Sequence, residues 1–513
     1  MKRRKYIALL VCVVLAGMGA TVRAQEASAD TIMKHIRYLS SSRYEGRQAG
    51  TQGYMDAADY VINALRSYGV KPYEKGEWMK YIFDVESNQV ENASLFTYVH
   101  KDDVRQPYVL GKDFACVSMT GRGYADAPVV FCGYGIDNNA FNEYAKVDAK
   151  GKIVMVLTGV PKFLPQSVTE KYATLRDKAR TALAHGAVAL VAVNMSETCR
   201  PTEVQCQMFC GNPPHLFTFP MLQATRWCGN ELLKNEKMTI DSVLTMMDST
   251  HKPHSFLLDK KFAIDVNATY NPTAKTGNVV GFVEGRDLRL KREVVIVGAY
   301  LDHLGIQGET CLFPGADQNA TGVAAVLEVA RMLSQADEWQ GRSVAFVFFS
   351  GGEHRHKGAE AFVRTFKDLE WVDAFLNIES VGSGDSIAVM GKKRFPILWS
   401  IVSHNDSLYT QLMKQEVNTM PQGDAVAFAK LGIPAVNIFT TNGHRYNHVP
   451  SDIAENVNRR MVTSATTLLY RTLMQLCNGD YQGRAEESRY NRFENTYDDV
   501  DIYSTGSSID SRR

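Results

Sequence analysis

The stretch EVVIVGAYLDHLG, Glu293 to Gly305, sets an apolar run, Val294 to Ala299, directly before a polar cluster at Asp302-His303. A run with no polar alternation reads as a strand buried on both faces, the habit of parallel sheets. The layout recurs along the chain. SVAFVFFS (343–350) leads into Gly351-Gly352-Glu353-His354, FLNIES (375–380) carries Glu379, and GIPAVNIF (432–439) precedes His448. Between the first two strands, GVAAVLEVARMLSQ (322–335) repeats apolar residues at helical spacing. Such alternation predicts an α/β domain with a mixed, mostly parallel sheet and helices on both faces. Ligand sites in such sheets lie beyond the carboxyl ends of the strands, where these polar clusters fall.

Moving outward, residues 28–73 read as two helices around the loop EGRQAGTQG (45–53), and 125–265 read as a second unit. APVVFCGYGI and KIVMVLTG are strand-like there, and KARTALAHGAVALVAVN reads as helix, turn and buried strand. After about 480 the chain turns polar (RAEESRYNRFENTYDD), which predicts a mobile tail over 481–513.

The N-terminus predicts export. Lys2-Arg3-Arg4-Lys5 is a basic start, Tyr6 to Ala20 an apolar stretch, and Val22-Arg23-Ala24 a small-x-small end, so cleavage is expected near Ala24. The apolar stretch is shorter than the ~20 residues a membrane span needs, so no stable span is expected. Cys12 lacks a lipobox around it, and the mature protein is expected to be periplasmic or extracellular. A formal net charge of +1 gives no global field for nucleic acid. Cys199, Cys206, Cys210 and Cys228 cluster in sequence and are disulfide candidates for an oxidising compartment, with the pairing open.

The ordered series of segments resembles metallopeptidase family twenty-eight, the co-catalytic zinc aminopeptidases. It runs from EGRQAGTQG and DAADYV through NVVGFVEGRDLRLKREVVIVGAYLDHLG, PGADQNATGVAAVLEVAR, FSGGE, GIPAVNIF and YNHVPSD. GYGIDNNAFNEYAKVDAKGKIVMVL and KARTALAHGAVALVAV look like the protease-associated domain often inserted in that family. The resemblance implies a zinc-exopeptidase-like fold plus a smaller β-rich insert. It divides the chain into a leader (1–24), an N-terminal part of the peptidase-like domain (25–114), the insert (115–270), the main domain (271–480) and the tail.

The resemblance also implies a site, and this chain departs from it. The family writes GAHxDHLG where this chain has GAYLDHLG, so a zinc-binding His is replaced by Tyr300, a phenol with a pKa near ~10. Asp302, which would orient that His, is kept. The family writes PGADDNASG, so the Asp that bridges both ions is Gln318, while the neighbouring Asp317 points elsewhere. The family writes FSGEE, so the general base falls on Gly352 and the next ligand on Glu353. Glu379 stands where a carboxylate ligand is expected, and His448 is retained. At most one zinc ion is expected, on Glu353 and His448 with Glu379 nearby. His303 is expected to be structural, and Gln318 a structural amide. His354, Arg355, His356 and Lys357 read as a solvated loop, or more sharply as a basic rim for an anionic group such as a peptide carboxylate. Three functions follow: an exported pseudopeptidase that binds peptide or protein, an active metallo-exopeptidase with a rebuilt site of one zinc and a borrowed His, or a structural envelope protein.

Overall fold

The computed structural model describes residues 26–491 except 75, 100–104, 198, 207–214, 337, 338, 340 and 415–418. The predicted leader, Cys12, Cys210 and residues 492–513 lie outside the described residues. No helix among those described is long and apolar enough to cross a membrane.

The chain opens with helices α1 (Ala29–Leu39) and α2 (Gln52–Ser67). Ser28 caps α1 by accepting from the Thr31 amide, and Ile32, Met33, Ile36 and Leu39 form its buried stripe. Strand β1 (Met79–Val99) then leads into the insert, which contributes β2 (Phe114–Cys116), β3 (Gly123–Phe131), β4 (Ile153–Leu157), helix α3 (Leu175–Ala184), β5 (Ala189–Val193) and β6 (Met221–Ala224). The chain returns along β7 (Phe256–Val283). The C-terminal half follows as β8 (Val294–Tyr300), α4 (Thr321–Ser334), β9 (Ser343–Phe349), α5 (Lys357–Thr365), β10 (Val372–Ile378), β11 (Ser386–Met390), α6 (Pro396–Tyr409), β12 (Ala435–Thr441), α7 (Arg459–Asn478) and α8 (Gly483–Asn491).

One sheet joins both halves, in the order β11-β12-β10-β8-β9-β7-β3-β4-β5-β6-β2, with β1 paired to β7 off that path. The centre of the C-terminal half is parallel: β8 pairs in parallel with β9 and β10, and β10 with β12. Strands β11 and β7 close it antiparallel on either side. All seven residues of β8 and of β9 are buried, as expected of strands covered on both faces. Strand β7 is the hinge of the layout. Its last residues pair with β9, and its first with β3 of the insert, so the two cores share one ribbon. The insert's main core draws in Val90, Leu95 and Tyr108, ahead of residue 115, and runs to Ala268.

Two expectations are corrected. The chain is not a loose polar tail from 481: Gly483–Asn491 is helical, and Tyr481 and Glu487 are buried. Glu487 accepts from the Ile397 and Leu398 amides at the N-terminus of α6, a use of charge at a helix start that composition cannot reveal. The cysteine cluster also breaks up. Cys199 packs with Tyr446 and Val449, Cys228 lies in the insert core, Cys206 belongs to a third cluster, and no disulfide joins these three.

Candidate active site

The site forms where β8, β9, β10 and the loop after β12 end together. Asp302 stitches two of these ends. Its carboxylate accepts from the Gly352 amide at 2.8 Å and the Glu353 amide at 3.3 Å, fixing the turn after β9 against the loop after β8. Burial, then the nearby Glu353, pushes the Asp302 carboxyl up to about 7. Arg47, fully buried, braces the floor from the N-terminal loop. It donates to the carbonyls of Leu301 (2.9 Å), Pro314 (2.7 Å) and Gly315 (2.9 Å), so its guanidinium ties together the loops that carry Asp302 and Gln318.

Tyr300 and Gly352 make one packing unit. A Cβ placed on Gly352 would lie 2.4 Å from Tyr300 Cγ and 2.6 Å from Tyr300 Cβ. No strained backbone angle at Gly352 calls for glycine; the Tyr300 side chain does. Residues 300 and 352 therefore compete for one volume, at the Cβ, Cγ and Cδ2 atoms of residue 300. Burial, then Glu353 and Glu379, raises the Tyr300 phenol well above its ordinary value. It stays a neutral donor at any physiological pH.

Glu353 and His448, the retained donors of one ion, are turned toward each other. His448 Nε2 lies 3.1 Å from Glu353 Oε2, and His303 Nδ1 lies 3.0 Å from Glu353 Oε1. Burial works against charge on Glu353, but the opposing His448 and the bonds from both imidazoles outweigh it and hold the carboxyl well below its ordinary value. His448 shows the reciprocal balance: burial lowers it, Glu353 raises it further, and the net shift is upward. His303 is pulled down to about 4, mainly by burial, and its Nε2 has no partner among the described residues. His448 and His303 thus each set an imidazole nitrogen against one oxygen of the Glu353 carboxylate.

The loop after β9 departs from the solvated-loop reading. Arg355 and Lys357 are exposed, as expected. His354, however, is buried, its Nε2 against the Glu86 carbonyl at 2.7 Å. His356 Nδ1 lies 3.1 Å from Asp424 Oδ1, and although burial opposes charge, Asp424 lifts His356 to about 9. Asp424 is fully buried, and its Oδ2 has no partner among the described residues. Sequence reasoning missed this pair because nothing in QGDAVAF marks Asp424 as the partner of a residue sixty-eight positions earlier. Glu379 accepts from Asn437 Nδ2 at 2.7 Å, and burial raises its carboxyl.

Gln318 is anchored through its backbone amide, which donates to Asp452 Oδ2 at 3.1 Å, and its Oε1 is buried with no partner among the described residues. Asp317 does point elsewhere. It accepts from the Gly382 amide (2.7 Å) and Ser383 Oγ (2.7 Å), with His444 Nδ1 at 3.1 Å.

These residues do not fit two zinc ions. Of the five expected ligand positions, one is a phenol held neutral and one a neutral amide, which leaves Glu353, Glu379 and His448. Glu353 and Glu379 alone bring carboxylate charge, too little to balance two divalent cations. Among the described residues, no three His, Cys, Asp or Glu side chains gather where one ion could take them all.

Comparison with known proteins adds the following. Residues 278–473 match the family model of Peptidase family M28, and residues 112–226 match that of the PA domain. The chain is 25% identical over 185 residues to Endoplasmic reticulum metallopeptidase 1 of Mus musculus, an overlap of 34% of this chain and 20% of that protein. It therefore spans about a fifth of that relative's length. It is 22% identical over 451 residues to the Probable lipoprotein aminopeptidase LpqL of Mycobacterium tuberculosis, covering 82% of this chain and 75% of that one. Among solved structures, BSAP, a zinc aminopeptidase from Bacillus subtilis, superposes with a TM-score of 0.63 at 17% identity, covering 90% of this chain and 98% of that one. The aminopeptidase from Aneurinibacillus sp. strain AM-1 gives 0.60 at 18% identity, over 89% and 96%. At these identities the likeness establishes the fold.

Proposed function

We infer that this chain, a Peptidase family M28 fold with an inserted PA domain, binds peptide in a metal-free cleft and does not hydrolyse it. The observation that carries the reading is the Tyr300 ring packed over Gly352, in a cleft whose expected bridging carboxylate is the neutral amide of Gln318. The ring fills the space that a base would need. Loss of a general base alone typically costs ~10²–10⁴-fold in rate, and here the means of activating a water go with it. The ligand is a peptide with acidic character, steered by exposed Arg355 and Lys357 at the rim. With the leader read in the sequence, the protein works outside the cytoplasm.

One observation favours a competing reading, a single-zinc exopeptidase. His303 and His448 both face Glu353, so a borrowed His stands beside two retained donors. Against it, a metal-binding His usually gives its second nitrogen to an outer partner, and His303 Nε2 has none among the described residues. An aminopeptide hydrolysis assay on the full chain, with and without added zinc, separates the two. No turnover in either arm supports the binder. Zinc-dependent turnover that is lost in His303→Ala establishes the hydrolase.

A further inference from the structure

Strand β2 ends the sheet path, and among the described residues no strand pairs with its outer edge. The Cys116 amide and carbonyl point to that edge, since the next amide, of Val117, turns inward to the Met221 carbonyl at 3.0 Å. The buried side chain of Gln307 takes both groups. Its Oε1 accepts from the Cys116 amide at 2.8 Å, and its Nε2 donates to the Cys116 carbonyl at 2.8 Å. Gln307 lies just beyond His303, in the hairpin formed by Ile306–Gln307 and Cys311–Leu312. The same hairpin is held a second time, by the Gly308 amide donating to the Val90 carbonyl at 2.8 Å. One side chain thus does for β2 what a further strand would do, and it joins the end of the sheet path back to the loop after β8.

A strap at residues 199–206 reaches the other imidazole. It is rooted in the insert by the Trp227 amide, which donates to the Pro201 carbonyl at 2.8 Å. At its far end the Cys206 amide donates to the His448 carbonyl at 3.1 Å, and Gln205 Nε2 donates to the Asn447 carbonyl at 3.0 Å. Ser451 Oγ donates to the Glu203 carboxylate. His448 itself sits in the left-handed region, with φ 57°, a conformation a bulky residue keeps only when its surroundings hold it there. Strap and clamp meet at one atom, because Cys206 Sγ donates to the same Cys116 carbonyl at 3.4 Å.

His303 and His448 face the two oxygens of Glu353 from these two loops. Along the sheet the insert joins the C-terminal half through β7, so contacts at its last strand fix how it sits against the cleft. We propose that Gln307 is a positioning residue: it clamps the insert to the loop after β8, and the insert in turn braces the His303 and His448 loops about Glu353. The brace does not depend on whether the cleft is hydrolytic or on which peptide it takes.

The test uses the full chain carrying isotope-labelled histidine, with ring-nitrogen signals assigned by their loss in His303→Ala and His448→Gln. Gln307→Leu leaves a buried N–H and a buried C=O unpaired, enough to speed local amide exchange about tenfold or more. That acceleration is expected at the Cys206 and Asp452 amides, remote in sequence from the substitution, together with shifted ring signals of His303 and His448. Gln205→Ala, on the half-buried strap, should speed exchange at Asp452 and shift His448 alone, and it carries the test if Gln307→Leu does not fold. Val243→Ala opens a cavity in the insert's main core, and should lower the thermal midpoint with both ring signals unmoved. Wild-type ring signals in folded Gln307→Leu, or an unshifted His448 in Gln205→Ala, would overturn the brace. Ring shifts in Val243→Ala as large as those in Gln307→Leu would overturn it too, since lost insert stability alone would then move both imidazoles.

Discussion

The two sides of the cleft floor depart from a zinc centre in different ways. At Tyr300 and Gly352 the change is steric, a ring standing in the volume that a side chain on residue 352 would need. At Glu353 and His448 both expected donors are present, and the contact is electrostatic, an imidazole against a carboxylate at 3.1 Å. The difference teaches that one side of the floor is governed by volume and the other by charge. A filled volume must be emptied before it can be rebuilt, whereas an ion pair has only to be outbid by a stronger cation.

The largest expected effect breaks the steric side. Gly352→Glu alone drives a side chain into Tyr300 and buries an unpaired charge, and should cost about 4 kcal/mol of stability in denaturant unfolding. Adding Tyr300→Ala, which removes the Cγ and Cδ2 that a Cβ on residue 352 would meet, should recover more than ~1 kcal/mol of that, a coupling that only neighbouring sites show. Strict additivity in the double-mutant cycle would mean that the two side chains do not compete for this space.

Next is the electrostatic side. His448→Gln removes the countercharge of a buried carboxylate and should cost about 3 kcal/mol. The sign of its pH dependence follows from the two shifts. Glu353 is depressed from an ordinary 4.5, so its contribution is present above that value and fades as pH falls through its folded pKa. His448 is raised from an ordinary 6.5, so its contribution is complete below 6.5 and fades as pH rises through its folded pKa. The stability gap between wild type and His448→Gln should therefore be widest between 4.5 and 6.5 and narrow toward alkaline pH. The cost of Gly352→Glu should show no such window for Tyr300, whose phenol titrates far higher. A gap for His448→Gln that does not vary with pH would sink the ion-pair reading.

The smallest effect lies at the rim. Replacing Arg355 and Lys357 by Ala should change stability by less than about 0.5 kcal/mol and weaken acidic peptides several-fold at low salt. Unchanged affinity in a peptide-binding titration would remove the rim from the account.

The C-terminal half was legible because its central strands are buried on both faces. Runs such as VVIVGAY and SVAFVFF admit little else, and the polar residues that follow them had to fall at strand ends. Register against the family's motifs then raised the question at Tyr300, Gln318 and Gly352. Side-chain partnership was not legible. Tyr300 meets Gly352 and His356 meets Asp424 across long loops, and no local pattern encodes which residue fills whose space. The cysteines show the same thing: Cys199, Cys206 and Cys228, near one another in sequence, pack in three separate clusters, and Cys206 shares its cluster with Cys311. Tyr481 and Glu487 were read as solvated because a polar segment that caps another helix looks like a tail until its partner is placed.

The central claim is that this cleft is built to stand without metal. Elemental analysis tests it most directly, on full-length protein purified with zinc present and dialysed at neutral pH, beside the variant carrying Tyr300→His, Gln318→Asp and Gly352→Glu. The account predicts far less than one zinc per chain in the wild type, and binding restored in the folded triple variant. Stoichiometric zinc in the wild type would contradict it.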